Sequence, residues 1–536
     1  MSQSQNNIEL LLPEQRSEDA VQTKIADGLR RMHSIGKYQG RTVTNHILND
    51  LVGLYSRELD DELKEIASAE LMEITLSEFS KCKYLEDKES ETFVASGMIE
   101  KNLVGLRLYT RAHKYLAERC AALNIEKPHC TDSSEFQRRF DSALICAREI
   151  VQLSGLSDQI RNEVFINHLE IRIPPAPQKV RIDADLSAFE RFESRVALNN
   201  RESARIFPNG TFELDMSYFE SVLDPVMTQN LGYSFTNICD VLVALSEHTP
   251  PDLDSFNDVN FLDFDAAVSY LCGGFPEITK RDIERIIGGF TISSAGLQSP
   301  NRTYYNPQEE HRALGRCFFE LTMNGRPHLV WVHELFFDAF NLMRRKISHG
   351  ALPKEWKDPK LAEALGKINN ARGTWFEQNV LEQTKLLGLL GMRSKKELNS
   401  GGTQVPIVPG ELDYIGWSPR DSAFIFLEAK MLEWAGEPKA VKQQIDKFER
   451  PKGFKDKYLK KCEWIVQNSS AVVSELQSAG IQAAAPTNLK TAFITYEPSA
   501  AASRLHEFPC VSLAEFVHDF EREGKWPYSI GVFDLP

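Results

Sequence analysis

The feature that most constrains this chain is a pair of short apolar segments within residues 409–430 that end in charged side chains. The first segment covers 411–417, and the second, Ala-Phe-Ile-Phe-Leu, covers 423–427. Ser-Pro-Arg-Asp-Ser stands between them, and these residue types favour a turn. Short apolar segments rich in aromatic and β-branched residues on either side of a turn predict the two strands of a β-hairpin.

The charged residues fall at neighbouring ends of the two predicted strands. Side chains alternate faces along a strand, so Glu428 and Lys430 project to the same side. Pairing of the strands in a hairpin brings Asp413 near Glu428. Charged groups at the end of an apolar strand are costly to bury unless they are paired or bind a metal. We therefore expect two carboxylates and one ammonium to share a small space.

These three side chains suit a hydrolytic metal site. Two convergent carboxylates hold a hard divalent cation such as Mg²⁺ and leave it several waters. The cation polarises a phosphoryl oxygen and lowers the pKa of a bound water, while a nearby lysine orients that water or offsets developing negative charge. The alternative interpretation of Asp413, Glu428 and Lys430 is a pair of amphipathic strands whose charges face solvent.

The hairpin motif resembles that of the PD-(D/E)XK nuclease superfamily, which has the restriction-endonuclease-like fold. The matching residues are Gly-Glu-Leu-Asp at 410–413 and Leu-Glu-Ala-Lys at 427–430. The proline in the motif's name does not directly precede Asp413, because Pro409 stands four residues earlier. The resemblance covers about the last third of the chain.

Two flanking segments agree with this resemblance. Gly-Thr-Trp-Phe-Glu at 373–377 begins a predicted helix over 375–390 and resembles the family's first core helix, whose acidic residue faces the metal site. Gln-Ile-Asp-Lys-Phe at 444–448 resembles the Gln-x-x-x-Tyr element of the RecB-like branch, with Phe448 in place of tyrosine. The replacement keeps an aromatic ring but leaves any hydroxyl contact at this position unsupported.

The resemblance implies a metal site built from four residues. Asp413 and Glu428 would bind Mg²⁺ or Mn²⁺, with the carbonyl oxygen of Ala429 as a third ligand. Glu377 would bind a second metal ion directly or through water.

The resemblance also implies an activity. Lys430 would position the attacking water, and Gln444 would orient Lys430 or the scissile phosphate. The expected protein is a metal-dependent nuclease that hydrolyses phosphodiester bonds, with DNA rather than RNA as its substrate. Its expected catalytic residues are Glu377, Asp413, Glu428, Lys430 and Gln444.

The biological role and its alternative are expectations from the arrangement of the chain. A large acidic N-terminal region on a nuclease suggests an effector that is restrained until a signal arrives, as in bacterial antiviral defence. The alternative is a catalytically inactive nuclease-like fold that serves as a nucleic-acid-binding or assembly module. The intact set of costly charged residues argues against that alternative.

The length of 536 residues predicts two to four domains. The expected divisions are a mostly helical region over 1–175, a small α+β part over 176–350, and an α/β domain over 351–536. In the last of these we expect a central mixed sheet flanked by helices. The proline-rich segment 173–177 marks the first boundary, and Asn-Gly in the middle part predicts the turn of a hairpin over 204–214.

Apolar residues recur at helical spacing in the first region, as at Leu48, Leu51 and Leu54, and Asp132 resembles a helix start. We expect this helical region to provide the surface for a protein partner or for self-association. The start of the chain lacks a basic segment followed by a long apolar one, and no apolar run is long enough to span a membrane. The nine cysteines form no C-x-x-C pair, so we expect a cytoplasmic protein.

The net charge of −14 is unevenly distributed along the chain. Residues 371–461 hold 16 Lys and Arg against 12 Asp and Glu, which leaves −18 for the rest. Within 442–461 there are eight basic against three acidic residues, interleaved with Phe448, Phe454 and Tyr458. This stretch predicts either contact with a phosphate backbone or an ordinary solvated face.

Overall fold

The computed structural model describes residues 8–96, 101–123, 132–166, 168–248, 259–297, 312–432, 438–483 and 486–536. Over these residues the chain is a mixed α/β structure with a helical N-terminal region and a mixed sheet towards the C-terminus. Within the described ranges, no helix combines the length and apolar character needed to cross a lipid bilayer.

Long helices build the N-terminal region, as the apolar spacing predicts. They are α1 (Gln15–Met32), α2 (Arg41–Ile66), α3 (Ala69–Ser96), α4 (Lys101–Leu123) and α5 (Ser133–Asn162). On α2, Leu48 and Leu51 are buried. The predicted helix start at Asp132 is confirmed, because its side chain accepts hydrogen bonds from the backbone N–H groups of Ser134 and Glu135.

The N-terminal helices and the middle of the chain share one packed structure. Strands β1 (Gly36–Gln39), β2 (Leu169–Ile173) and β3 (Arg181–Ala184) form an antiparallel sheet in that order. One apolar core contains buried residues from Val21 to Ile368. The sheet and the core therefore both continue across residue 175.

The middle of the chain combines helices with a second sheet. Its helices are α6 (Ser187–Ile206), α7 (Met216–Leu231), α8 (Phe235–Ser246), α9 (Phe264–Gly274), α10 (Lys280–Gly288), α11 (Ser294–Leu297) and α12 (His333–Ser348). Its strands are β4 (Asn260–Asp263), β5 (Thr291–Ile292), β6 (Phe318–Met323) and β7 (Arg326–Trp331), in the order β4-β7-β6-β5.

The predicted hairpin over 204–214 is wrong. The segment before the turn is the end of α6, and residues 212–214 form a short 3-10 turn. Gly210 does take a positive φ of 85° in the connection, so the turn itself is present. Tertiary packing decides the outcome: the Phe207 ring lies 5.2 Å from Trp375 and 5.4 Å from Tyr496, which draws the end of α6 against the C-terminal part.

The C-terminal part contains the predicted hairpin and the elements around it. Its helices are α13 (Ala362–Leu386), α14 (Pro438–Glu449), α15 (Phe454–Gln467), α16 (Ser469–Ser478) and α17 (Leu513–Glu523). Its strands are β8 (Leu390–Lys395), β9 (Glu397–Ser400), β10 (Thr403–Pro406), β11 (Leu412–Ser418), β12 (Ala423–Lys430), β13 (Asn488–Thr495), β14 (Cys510–Ser512) and β15 (Val532–Asp534).

The main sheet has the order β14-β13-β12-β11-β8, and β15 also pairs with β13. Strands β8, β11 and β12 are antiparallel neighbours, whereas β12-β13 and β13-β14 are parallel. The expected central mixed sheet flanked by helices is therefore present. Strand β12 lies between two partners, which explains why it is apolar along nearly its whole length.

Two apolar cores cover the two faces of this sheet. Phe424 and Phe426 of β12 pack in a core with residues of α14, α15 and α16. Ile425 and Leu427 pack in the other core with residues of α13 and α17. By the alternation of a strand, Glu428 follows Phe426 onto the face that α14–α16 cover.

Helix α13 begins earlier than the sequence predicts. The sequence predicts a helix over 375–390 after Gly373, but α13 starts at Ala362 and ends at Leu386. Gly373 lies inside it, because a single helical glycine costs only about 1 kcal/mol and the long packed helix tolerates that cost. The helix stops at Gly388, where φ is 78° and the N–H of Leu389 bonds to Thr384 O at 2.9 Å.

Candidate active site

The β11-β12 hairpin brings the first two predicted site residues together. Its register pairs Tyr414 with Leu427, so Asp413 and Glu428 follow side by side at the open end. At the closed end, the Ser418 hydroxyl donates to Asp421 at 2.6 Å, and Asp421 also receives Lys490 Nζ at 2.7 Å. These bonds hold the turn and with it the register of the strands.

Asp413 is buried, with 5% of its surface exposed, and is held by two donors. Its Oδ2 accepts a hydrogen bond of 2.9 Å from the Ala429 N–H and one of 2.8 Å from Lys430 Nζ. Ala429, which the resemblance implicates through its carbonyl oxygen, thus contributes its amide to the site. Its methyl group lies in the opposite core, as strand alternation requires.

Glu428 is equally buried, with 6% of its surface exposed. Its Oε1 lies 3.2 Å from Lys430 Nζ, and its Oε2 accepts a hydrogen bond of 2.6 Å from Lys461 Nζ. Lys430 therefore bridges Asp413 and Glu428, while Lys461 approaches Glu428 from α15. Two carboxylates and two ammonium groups share the site.

Burial and mutual charge shift the proton affinities of these groups. Burial raises the pKa of Glu428, and the neighbouring charge of Asp413 raises it further, against the opposing effect of the two lysines. Burial alone would lower the pKa of Lys430, but the carboxylates of Glu428 and Asp413 outweigh it, so the net pKa is raised. Lys430 is accordingly an ammonium group at neutral pH.

Glu377 reaches the site from the other side of the sheet. Its helix α13 packs through Phe376 and Val380 in the core opposite to the Glu428 face. The Ser394 hydroxyl donates to Glu377 Oε2 at 2.9 Å. Burial raises the pKa of Glu377, and the charge of Asp413 raises it further, so the two carboxylates interact electrostatically.

Gln444 lies on α14 and is buried. Its Oε1 is 3.5 Å from the hydroxyl of Ser499, which donates to it and stands just after β13. A cleft of about 650 Å³ reaches this position from the N-terminal helices, where Arg111 and Lys114 also line it. A ligand in the cleft would therefore contact Gln444 and α4 together.

Asp413 and Glu428 offer the carboxylate oxygen ligands that a divalent cation needs. Lys430 Nζ contacts both carboxylates, at 2.8 Å and 3.2 Å, so the two carboxylates face one shared space. Among the described residues, three ligand atoms of His, Cys, Asp or Glu lie within 4.8 Å of one another at His33, His46 and Asp50 in the N-terminal region. Glu377, Asp413 and Glu428 do not form a second such group among the described residues.

Lys461 is the site residue that sequence reasoning missed. The sequence alone presents it only as one of eight basic residues in a stretch that predicts phosphate contact or a solvated face. On α15 it lies among the buried positions Tyr458, Cys462 and Ile465. A lysine on the inward face of an amphipathic helix is the signal that could have identified it, because such a charge needs a buried partner.

The rest of the basic stretch divides into paired and exposed residues. Lys442 pairs with Asp446 at 3.0 Å, whereas Arg450, Lys452, Lys457 and Lys460 are exposed. The interleaved aromatic residues do not form a stacking surface for bases, because Phe448 and Tyr458 are each only 1% exposed and belong to the core. The four exposed cations remain available to a phosphate backbone.

No family model, curated protein or solved structure matches this chain.

Proposed function

We propose that this chain is a metal-dependent nuclease that hydrolyses phosphodiester bonds of DNA. The observation that carries the proposal is the pair of buried carboxylates, Asp413 and Glu428, bridged by the Lys430 ammonium at 2.8 Å and 3.2 Å. Burying such charges is costly without a function or a compensating partner.

A restriction-endonuclease-like core is the fold we propose for residues 351–536. Support comes from the order of elements: helix α13, the hairpin β11-β12, helices α14 and α15, and strand β13. The candidate site lies where the hairpin ends, next to the parallel pair β12-β13.

Each site residue has a role that its position allows. Asp413 and Glu428 hold Mg²⁺ or Mn²⁺, which would polarise a phosphoryl oxygen and make a bound water more acidic. Lys430 orients that water and offsets negative charge on the phosphate. Glu377, held by Ser394 at 2.9 Å, serves a second metal ion directly or through water.

Two further features support a nucleic-acid substrate. Gln444 lines a cleft, and its proposed role is to orient Lys430 or the scissile phosphate. The exposed cations Arg450, Lys452, Lys457 and Lys460 lie on and beside α15, the helix that carries Lys461. Exposed cations attract a phosphate backbone.

We propose a restrained effector of bacterial antiviral defence as the biological role. The N-terminal helices line the cleft that reaches Gln444, so a partner that moves them would change the surroundings of that residue. These helices are the proposed surface for a protein partner or for self-association.

A second candidate is a catalytically inactive nuclease-like module that binds nucleic acid. The observation that favours it is that both carboxylates already have ammonium partners, Lys430 and Lys461. Such a protein would bind nucleic acid equally well with Mg²⁺ or with EDTA.

Incubation of the full chain with supercoiled, linear and single-stranded DNA, and with RNA, separates the two candidates. Each substrate is offered with Mg²⁺, with Mn²⁺ or with EDTA. The nuclease proposal requires cleavage that depends on the metal and disappears in Asp413→Asn. Absence of cleavage, combined with an Asp413→Asn variant that shows the same metal-dependent melting as the wild type, favours the inactive module.

A further inference from the structure

Lys461 forms the tightest contact of the candidate site, although it lies 33 residues beyond Glu428 in the sequence. Its Nζ is 2.6 Å from Glu428 Oε2, and both side chains are only 8% exposed. Its aliphatic stem passes the loop before β11, since a Cβ on Gly410 would stand 4.0 Å from Lys461 Cε. The ammonium is therefore directed into the site from the α15 side of the hairpin.

The charges of the site balance without a metal ion. Asp413 and Glu428 carry two negative charges, and Lys430 and Lys461 carry two positive ones. A divalent cation between the carboxylates would leave two surplus positive charges in a buried space. Like charges at these distances repel strongly where water is excluded, so one ammonium must withdraw when the metal binds.

The contacts indicate which ammonium withdraws. Lys430 contacts both carboxylates, at 2.8 Å and 3.2 Å, but its side chain is 34% exposed, so its ammonium can turn towards solvent and stay beside a bound metal. The Lys461 ammonium contacts Oε2 of Glu428. A metal ion bound by Glu428 would either use this oxygen as a ligand or lie close to it, and in both cases it would lie close to the ammonium.

We propose that Lys461 is a built-in competitor for the metal ion, which holds Glu428 in the metal-free protein and must release it when the metal binds. This inference rests on the proposed metal site. On this inference Lys461 is a positioning residue that weakens the affinity for the metal ion. A residue that only held Glu428 in position for the metal would strengthen that affinity.

The test is a calorimetric titration of the full chain with Mn²⁺ at about pH 8, where exposed carboxylates are ionised. Lys461→Met removes the competing charge, and we expect it to bind Mn²⁺ at least about tenfold more tightly than the wild type. Lys461→Arg keeps the charge and should stay within about twofold of the wild type. Lys460→Met is the matched control, because it removes the same charge from the neighbouring exposed position.

Lys461→Gln is measured in parallel, since it leaves a polar group against Glu428 if the methionine variant folds poorly. Unchanged or weaker Mn²⁺ binding by folded Lys461→Met and Lys461→Gln overturns the competitor role while leaving the metal site intact. Equal tightening in Lys460→Met also overturns it, since the effect would then be one of general charge. If the wild type does not bind Mn²⁺, or if Asp413→Asn does not remove the binding, both this inference and the proposed metal site are overturned.

Discussion

Lys430 donates a hydrogen bond of 2.8 Å to Asp413, a residue that precedes it by 17 positions on the partner strand of the hairpin. The same carboxylate oxygen receives the Ala429 amide at 2.9 Å. Side-chain and backbone donors thus fix one carboxylate oxygen before any ligand arrives. Such preorganisation reduces the reorganisation that catalysis would require.

Asp413→Asn should abolish metal-dependent cleavage, with a loss of at least about 100-fold in the rate. The amide has almost the same shape as the carboxylate but cannot offer a charged oxygen to a cation. The fold should change little, because the Lys430 ammonium keeps its contact of 3.2 Å with the Glu428 carboxylate. Cleavage assays and thermal melting check the two halves of this expectation.

Glu411→Gln is the matched control for that variant, because it removes a carboxylate two residues earlier that lies 3.6 Å from Lys396. It should cleave at nearly the wild-type rate. Equal losses in both variants would mean that overall charge on the hairpin matters and that Asp413 has no special role.

Metal binding should weaken as the pH falls. The weakening should begin at a higher pH than it would at a site built from carboxylates with ordinary pKa values. The pKa of Glu428 and that of Glu377 are both raised, chiefly by burial and then by the charge of Asp413. Protons therefore compete with the metal above the usual carboxyl pKa of about 4.3. Mn²⁺ titrations from about pH 8 down to about pH 5 should show the loss, and Glu377→Gln should reduce it.

The stability of the metal-free protein should respond in the opposite direction. A folded-state pKa above the unfolded value means that protonation favours the fold. The stability that Glu428 and Glu377 contribute is fully present below the unfolded pKa and is lost as the pH rises through their raised folded-state pKa values. Urea midpoints measured with EDTA should show a smaller pH dependence in Glu377→Gln than in the wild type.

The exposed cations beside the site should set nucleic-acid affinity through charge alone. Changing Arg450, Lys452, Lys457 and Lys460 to Gln, singly and together, should weaken binding to DNA of any sequence. Each substitution that removes a phosphate-binding cation should lower the slope of log affinity against log salt by about 1. Lys280→Gln, which removes a 63% exposed lysine from α10, should leave that slope unchanged.

Two glycines of the C-terminal part should respond to alanine in opposite directions. A Cβ on Gly391 of β8 would lie 2.5 Å from the Tyr414 ring and 2.7 Å from Ile415 O, so the strand pair must move apart. We expect Gly391→Ala to lower the free energy of unfolding by about 1 to 3 kcal/mol. A Cβ on Gly373 meets nothing within 4 Å, and Gly373→Ala in α13 should raise that free energy by about 0.5 to 1 kcal/mol. Urea denaturation measures both changes.

Much of the local structure follows from the sequence because local interactions specify it. The apolar strands and the turn between them predict the hairpin, and strand alternation predicts that Glu428 and Lys430 share a face. Helix α5 begins where expected, since the side chain of Asp132 accepts hydrogen bonds from the N–H groups of Ser134 and Glu135. In these cases the stabilising contacts lie within a few residues of one another.

Local patterns fail where distant packing decides the conformation. Asn209 and Gly210 have the composition of a hairpin turn, but the residues before them end α6, because Phe207 packs on Trp375 and Tyr496. Gly373 resembles a helix start but lies within α13, whose length is stabilised by the cores on both sides of it.

The amino-acid sequence by itself determined the hairpin and the nearness of Asp413 and Glu428, because register and alternation are properties of a short stretch of backbone. Only the tertiary structure decided that Lys461 joins them and that Glu377 approaches from the opposite face of the sheet. Local sequence can place Lys461 on the inward face of α15, but the partner that it meets depends on how whole helices pack against the sheet.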